Sequence, residues 1–189
     1  MRAPAGRRMR DLAGDAEPHP VAAVVLAAGA ATRFGAAKQA ILLGEVLGRV
    51  RQSGEIDQIV VVSGAYELEA DARLVRCDDW ELGPGASLRC GLRALADGTA
   101  AAAVILADGP DLAPAAVDRV VRAWRKGAGD VVAASYSGVR GHPVVLDRTV
   151  WESVPDEGAR ALQPVLVPCD DLGEPGDVDR PEDLPDRYG

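Results

Sequence analysis

Val21–Ala27 reads VAAVVLA, an unbroken apolar run set between Pro20 and Gly29. A strand with one wet face alternates apolar and polar residues. A short run without alternation has no wet face, so it fits a central strand covered on both sides. IVVVS (Ile59–Ser63) and AVILA (Ala103–Ala107) have the same character, and DVVAAS (Asp130–Ser135) is a weaker case. Helical spacing fills the intervals. In Gln39–Gln52 the residues Ile41, Leu42, Val46, Leu47 and Val50 share a face, and Ser87–Leu95 brings Leu88, Leu92 and Leu95 together. Pro114 starts a third helix, with Val117, Val120, Val121 and Trp124 inward; proline suits a first helical turn. Strands alternating with helices predict an α/β domain, a mostly parallel sheet with helices on both faces. Ligands of such sheets sit at the carboxyl ends of the strands. The segments to inspect are therefore AAGAATRFGAAK, SGAYE, DGPDL and YSGVRGHP.

The chain has 189 residues, a length suited to one domain. The first nineteen, MRAPAGRRMRDLAGDAEPH, lack the apolar segment of a signal peptide and read as a disordered tail. Residues 20–189 are then the folded unit. A formal net charge of -8 argues against nucleic acid as a partner. An anionic ligand would need local help from main-chain amides, a few cations or a metal ion. No apolar run approaches the ~20 residues that span a bilayer. Cys77, Cys90 and Cys169 show no CxxC spacing. They read as three isolated thiols, which suits a reducing, cytoplasmic setting.

Directly after the first strand comes LAAGAATRFGAAK, Leu26–Lys38. Gly29 and Gly35 permit close backbone approach, and Ala27, Ala28, Ala30 and Ala31 leave amides open to form an anion-binding concavity. Arg33 and Lys38 add cations for phosphate oxygens. The GxGxxG fingerprint is absent because Ala31 follows Gly29 by two, and the Walker pattern fails because Gly35 is followed by Ala-Ala-Lys-Gln. Taken alone, the loop fits equally an ordinary Gly/Ala turn with solvated basic residues.

Asp108 ends an apolar strand in VILADGPDL, with Asp111 just beyond, and GDVDRPEDL offers Asp177 and Asp179. In an extended segment that last pair points one way. Magnesium is held by one or two protein carboxylates plus phosphate oxygens and water. A turn-forming Asp108 and a solvated acidic loop are the plain alternatives.

The LAAGxxxRxGxxK pattern resembles the opening signature of the MobA-like nucleotidyltransferases, nearest to their molybdenum cofactor cytidylyltransferase branch. The strand-ending aspartate and the late DVDRPEDL segment resemble the same family, with Arg180 replacing a threonine. The likeness runs from about Val21 to about Leu184. It implies a single-domain Rossmann-like, GT-A-like fold with a mixed, mostly parallel sheet, and a Mg²⁺-dependent transfer of NMP from an NTP to a phosphorylated acceptor. It implies nucleotide binding by Leu26, Ala27, Ala28, Gly29, Arg33, Gly35 and Lys38, helped by Gly64, Gly83 and Ser87. Arg33, Lys38 and Asp108 become the catalytic candidates, and Asp108, Asp179 and Asp177 the metal ligands. VRGHPVVL and DEGAR resemble acceptor-side segments of that branch, which nominates Gly141, His142 and Arg160.

Under this resemblance CTP is the favoured nucleotide and a molybdopterin-type phosphate the acceptor, with a molybdoenzyme or cofactor chaperone as a transient partner. Two departures stand out, the first near the cleft entrance and bearing on the acceptor, the second in the Trp80–Leu95 segment that resembles the one framing the base. The usual glycine-proline-leucine segment is replaced by Leu43–Leu47, and Gly85 stands where the family often has serine. Rival readings are another phosphorylated acceptor (a sugar phosphate or phospholactate-type precursor), an NAD(P)H-dependent reductase recruited from the superfamily, and a non-catalytic pterin carrier.

Overall fold

The computed structural model describes residues 19–30, 38–178, 180–185 and 187, apart from the side chains of Lys38, Gln39 and Pro181. In chain order the elements are β1 (Val21–Ala27), α1 (Lys38–Arg51), β2 (Gln58–Ser63), β3 (Arg73–Arg76), α2 (Pro84–Arg93), β4 (Ala101–Leu106), α3 (Pro114–Arg125), β5 (Val131–Tyr136), β6 (Val139–Asp147) and β7 (Val165–Pro168). The strands form one sheet of order β3-β2-β1-β4-β6-β5-β7. The β3-β2-β1-β4 half is parallel throughout. β6 then runs antiparallel to both β4 and β5, and β7 is parallel to β5. A mixed, mostly parallel sheet in one α/β unit is the architecture the sequence predicts.

The unbroken apolar runs are explained by what covers each face. Val21, Ala23, Val25 and Ala27 face one core with Val46 and Leu47 of α1 and Val117, Val120 and Val121 of α3. Ala22 and Val24 face the other, with Leu88 and Leu92 of α2 and Trp151, Val154 and Ala159. Burying one such valine contributes about 1.5–3 kcal/mol, so exposing either face of β1 would cost several times that. α2 lies close on the sheet. A Cβ at Gly91 would stand 2.5 Å from Val24 Cγ1 and 2.8 Å from Val62 Cγ2, which leaves room for glycine alone.

Several expectations need correction. Ile41 was expected inward but is 45% exposed; Leu43 takes the buried place beside Leu42, Val46, Leu47 and Val50. α2 begins at Pro84, so Ser87 lies within the helix and Gly83 is its N-cap. Cys77 and Cys90 are joined as a disulfide, their Cα atoms 5.8 Å apart, and only Cys169 remains a buried thiol. The bonded pair lies 13 positions apart, so no short-range motif announced it; the fold brings the end of β3 against α2. β3, β6 and β7 carried no clear sequence signal either. β3 and β7 are four-residue edge strands, and β6 is interrupted by Pro143.

The C-terminal segment wraps back over the domain. The Asp111 amide donates to the Pro175 carbonyl (2.9 Å) and the Val178 amide to the Asp108 carbonyl (3.1 Å). Val178 is buried with Leu42 of α1, and Leu184 packs on the pair. Arg187 reaches both Glu45 (3.0 Å) and Asp111 (2.8 Å).

Candidate active site

Two arrangements occupy the carboxyl edge of the sheet. The first surrounds the end of β1. Leu26 is partly buried, Ala27 and Ala28 are buried, and Gly29 is exposed. The Ala28 carbonyl accepts from the Ala65 amide (3.0 Å), and the Tyr66 hydroxyl donates to the Ala30 carbonyl (2.8 Å). A Cβ at Gly64 would fall 2.6 Å from Trp80 Cβ and Cγ and 2.7 Å from the Ala28 oxygen. Gly64 is thus the contact through which β2 and the Trp80 turn brace the glycine-rich loop. Arg33, Gly35 and Asp179 lie outside the described residues, as does the Lys38 side chain, although Lys38 opens α1.

On the same side, Gly83 has φ +113°, a conformation that side-chain-bearing residues resist. The Gly85 amide donates to the Asp156 carbonyl (2.9 Å). A Cβ at Gly85 would lie 2.0 Å from the Pro155 carbonyl oxygen, so serine cannot stand there without moving backbone. The departure noted in the sequence has a packing cause. Ser87, buried at 5% exposure, is in the first turns of α2 rather than at its cap.

The second arrangement is a cavity of about 310 Å³ whose walls include Asp108, Asp177, Tyr136, Arg140, His142 and Glu174. Its origin is a break in strand pairing. β4 and β6 pair only as far as Val104 with Val144, and β5 changes register against β6 between Ala133 and Ser135. Pro143 cannot donate a ladder hydrogen bond. Around it β6 departs from β4, and the gap opens beside Asp108, just past the end of β4. Gly141 also lines this gap; a Cβ there would meet the Tyr136 ring at 2.8 Å.

The protonation states follow from burial. Burial pushes the His142 imidazole below its ordinary range, against the hydrogen bond to the Val104 carbonyl, which works to raise it. The balance favours the neutral ring. A carbonyl only accepts, so Nδ1, 3.2 Å from that oxygen, carries the proton and Nε2 is left with a lone pair. The Tyr136 hydroxyl donates to the His142 carbonyl (3.1 Å), and burial pushes it up to about 12; it stays protonated.

Asp108 and Asp177 share this cavity with Gly141 and His142, whereas Arg160 stands exposed on the 3-10 turn Gly158–Ala161, outside the cavity wall. Among the described residues no three metal-ligating side chains cluster. Two carboxylates are nevertheless a donor set of hard oxygens that suits Mg²⁺ or Mn²⁺, whose other positions go to phosphate oxygens and water. Sequence reasoning overlooked Arg140, Tyr136, Glu174 and Trp80. Arg140 and Tyr136 stood inside the YSGVRGHP segment already singled out, and Trp80 opens the Trp80–Leu95 segment, but none was given a role; Glu174 lacked any local signal.

Comparison with known proteins agrees with this placement of elements. Crystal structures of Rv0371c from Mycobacterium tuberculosis H37Rv superpose at TM-score 0.70, with 26% identity over 88% of this chain and 96% of that one; a complex of Rv0371c with manganese superposes at 0.65, with 25% identity over 87% and 95%. The structure of CMP:2-keto-3-deoxy-manno-octonic acid synthetase with CTP shares the fold at TM-score 0.66 and 11% identity, covering 86% of this chain and 94% of that one. Nicotine blue oxidoreductase of Paenarthrobacter nicotinovorans is 31% identical over 202 residues, covering 90% of this chain and 98% of its own. The MobA-like NTP transferase domain matches residues 23–167, from within β1 through most of β7; it takes in the first arrangement and Asp108, Tyr136, Arg140 and His142 of the second, while Glu174 and Asp177 lie beyond it. The chain belongs to the MobA-like NTP transferase family.

Proposed function

We propose that the protein is a Mg²⁺-dependent nucleotidyltransferase that moves NMP from an NTP, CTP in preference, to a phosphorylated acceptor of the molybdopterin type. The observation that carries the reading is the meeting of Asp108 and Asp177 in one cavity, past the end of the strand that pairs with β1, whose following segment supplies Arg33 and Lys38 in sequence. The preference for CTP rests on the AAG form of that loop and on the RGHP segment.

In this mechanism the acceptor phosphate attacks the α-phosphorus in line with the departing pyrophosphate. One P–O bond forms as the bond to the leaving oxygen breaks. An acceptor that is already anionic needs no strong base, so positioning and charge neutralisation carry the rate. Asp108 and Asp177, with Asp179, would hold the divalent ion, which would supply Lewis acidity to the transfer. Gly29 and its neighbours would cradle the triphosphate. Gly141 and His142 would border the acceptor, and Nε2 of His142 could accept a hydrogen bond from it. A transient contact with a molybdoenzyme or cofactor chaperone would deliver or receive the product.

A second reading is an NAD(P)H-dependent reductase, because the 31% identical relative is named an oxidoreductase. The two readings separate in one set of assays. Purified protein with Mg²⁺ and each of the four triphosphates is given a molybdopterin-type acceptor and followed for pyrophosphate; NADPH oxidation is followed in parallel with aromatic quinone-like substrates. Acceptor-dependent pyrophosphate release supports transfer. NADPH oxidation without it favours the reductase.

A further inference from the structure

Arg140 lines the cavity and is placed unlike its neighbours. Its Nη1 donates to the carbonyls of Arg160 (3.2 Å) and Leu162 (2.8 Å), and its Nη2 to that of Ala159 (2.7 Å). All three acceptors are main-chain oxygens, and no carboxylate pairs with this guanidinium among the described residues. Several other arginines find acids, whereas Arg73 and Arg148, like Arg140, donate hydrogen bonds, among the described residues, to main-chain carbonyls alone. Arg119 holds both oxygens of Asp171, and Arg122 and Arg125 share Glu55. Arg140 is also partly withdrawn from solvent, which works against its charge.

A guanidinium has five N–H donors in a planar fork. Three bonds to carbonyls leave two, Nε–H and one Nη2–H, which can present one edge to a ligand. Their spacing matches two oxygens of a carboxylate or phosphate. The charge is uncompensated and the edge has no partner among the described residues, while Asp108, Asp177 and Glu174 stand in the same walls. The cavity therefore has a cationic place and acidic places, suited to a ligand whose charged group is fixed at one end.

We propose that Arg140 is the oxyanion receptor of this cavity, binding a carboxylate or phosphate carried by a small ring system through its Nε–Nη2 edge, while its other donors hold the 159–162 turn. The inference rests on the reading that this cavity takes the acceptor. It shifts the acceptor's anionic contact from Arg160 to Arg140.

The test uses the full chain at fixed Mg²⁺ and two fluorescent probes of matched shape, 6-carboxypterin and uncharged pterin. Arg140→Gln is expected to weaken 6-carboxypterin binding by about 10–100-fold and to leave pterin within about twofold. Arg140→Lys, which keeps the charge but loses the fork, should fall between. Orthophosphate should displace 6-carboxypterin from the wild type, and the stronger competitor of orthophosphate and benzoate identifies which oxyanion the receptor prefers. Equal weakening of both probes in Arg140→Gln overturns the proposal, since that is what a purely structural hold on the 159–162 turn would give. No binding of any of these anions to the wild type overturns it as well. Failure of the transfer reading looks different: probe binding that depends on Arg140, but no pyrophosphate release. A chain that turns over with an unchanged acceptor KM in Arg140→Gln keeps transfer and loses the receptor.

Discussion

The two halves of the sheet prepare their edges in opposite ways. In the parallel half, β1 stays in register with β2 and β4 almost to its end, from Ala22 with Gln58 to Ala27 with Ser63 on one side and from Val21 with Ala101 to Leu26 with Leu106 on the other. No gap opens there, so a ligand must be held by the loops beyond the strands. In the antiparallel half β6 parts from β4 after Val144, and the gap is walled by strand side chains. On the proposed function, main-chain amides would hold the triphosphate and side chains the acceptor. The fold would then separate a general task from a specific one.

The largest expected effect tests whether the two halves act as one site. Asp108→Asn should lower nucleotidyl transfer by about 10²–10³-fold without changing the far-ultraviolet circular dichroism. Retained turnover would detach the acidic cavity from the chemistry.

A matched pair of glycine variants sharpens the division. Gly64→Ala forces a methyl against Trp80 and the Ala28 carbonyl, and should raise the KM for nucleotide with a stability loss of about 1–3 kcal/mol. Gly141→Ala presses on the Tyr136 ring and should raise the KM for the acceptor instead. If both variants shift the same KM, the separation of tasks is wrong.

Acid sensitivity should concentrate in the antiparallel half. At Asp147, the last residue of β6, burial works to raise the carboxyl, but hydrogen bonds from the Thr149 amide and hydroxyl and the Trp124 indole outweigh it and hold the group below the ordinary range. A depressed carboxyl stabilises above its unfolded value, about 4, and that support is lost as pH falls through the lower folded value. Denaturant melts from pH 6 down to pH 2 should therefore show a shallower acid loss in Asp147→Asn than in the wild type. The smallest effect is expected for Tyr136→Phe, which removes the bond to the His142 carbonyl. About 1 kcal/mol of stability and a modest change in acceptor KM should follow, with nucleotide KM unchanged.

How much of this was legible beforehand differed between the halves. β1, β2 and β4 declared themselves because burial on two faces demands unbroken apolar residues, and their ends pointed to the glycine-rich loop and to Asp108. β6 did not, since Gly141 and Pro143 interrupt its pattern at the place where the strand must leave its neighbour. Asp177 could be suspected from its spacing to Asp179, but its arrival beside Asp108 depends on the strap bonds from Asp111 to Pro175 and from Val178 to Asp108. The Cys77–Cys90 pairing was misread because reading by motif looks only a few residues away.

By itself, the sequence determined the α/β class and the three long helices, because these depend on periodicity. The tertiary structure alone decided which carboxylates meet, which cysteines bond and which arginine faces the cavity. Those depend on contacts across tens of residues, where no spacing rule operates and packing chooses the partner.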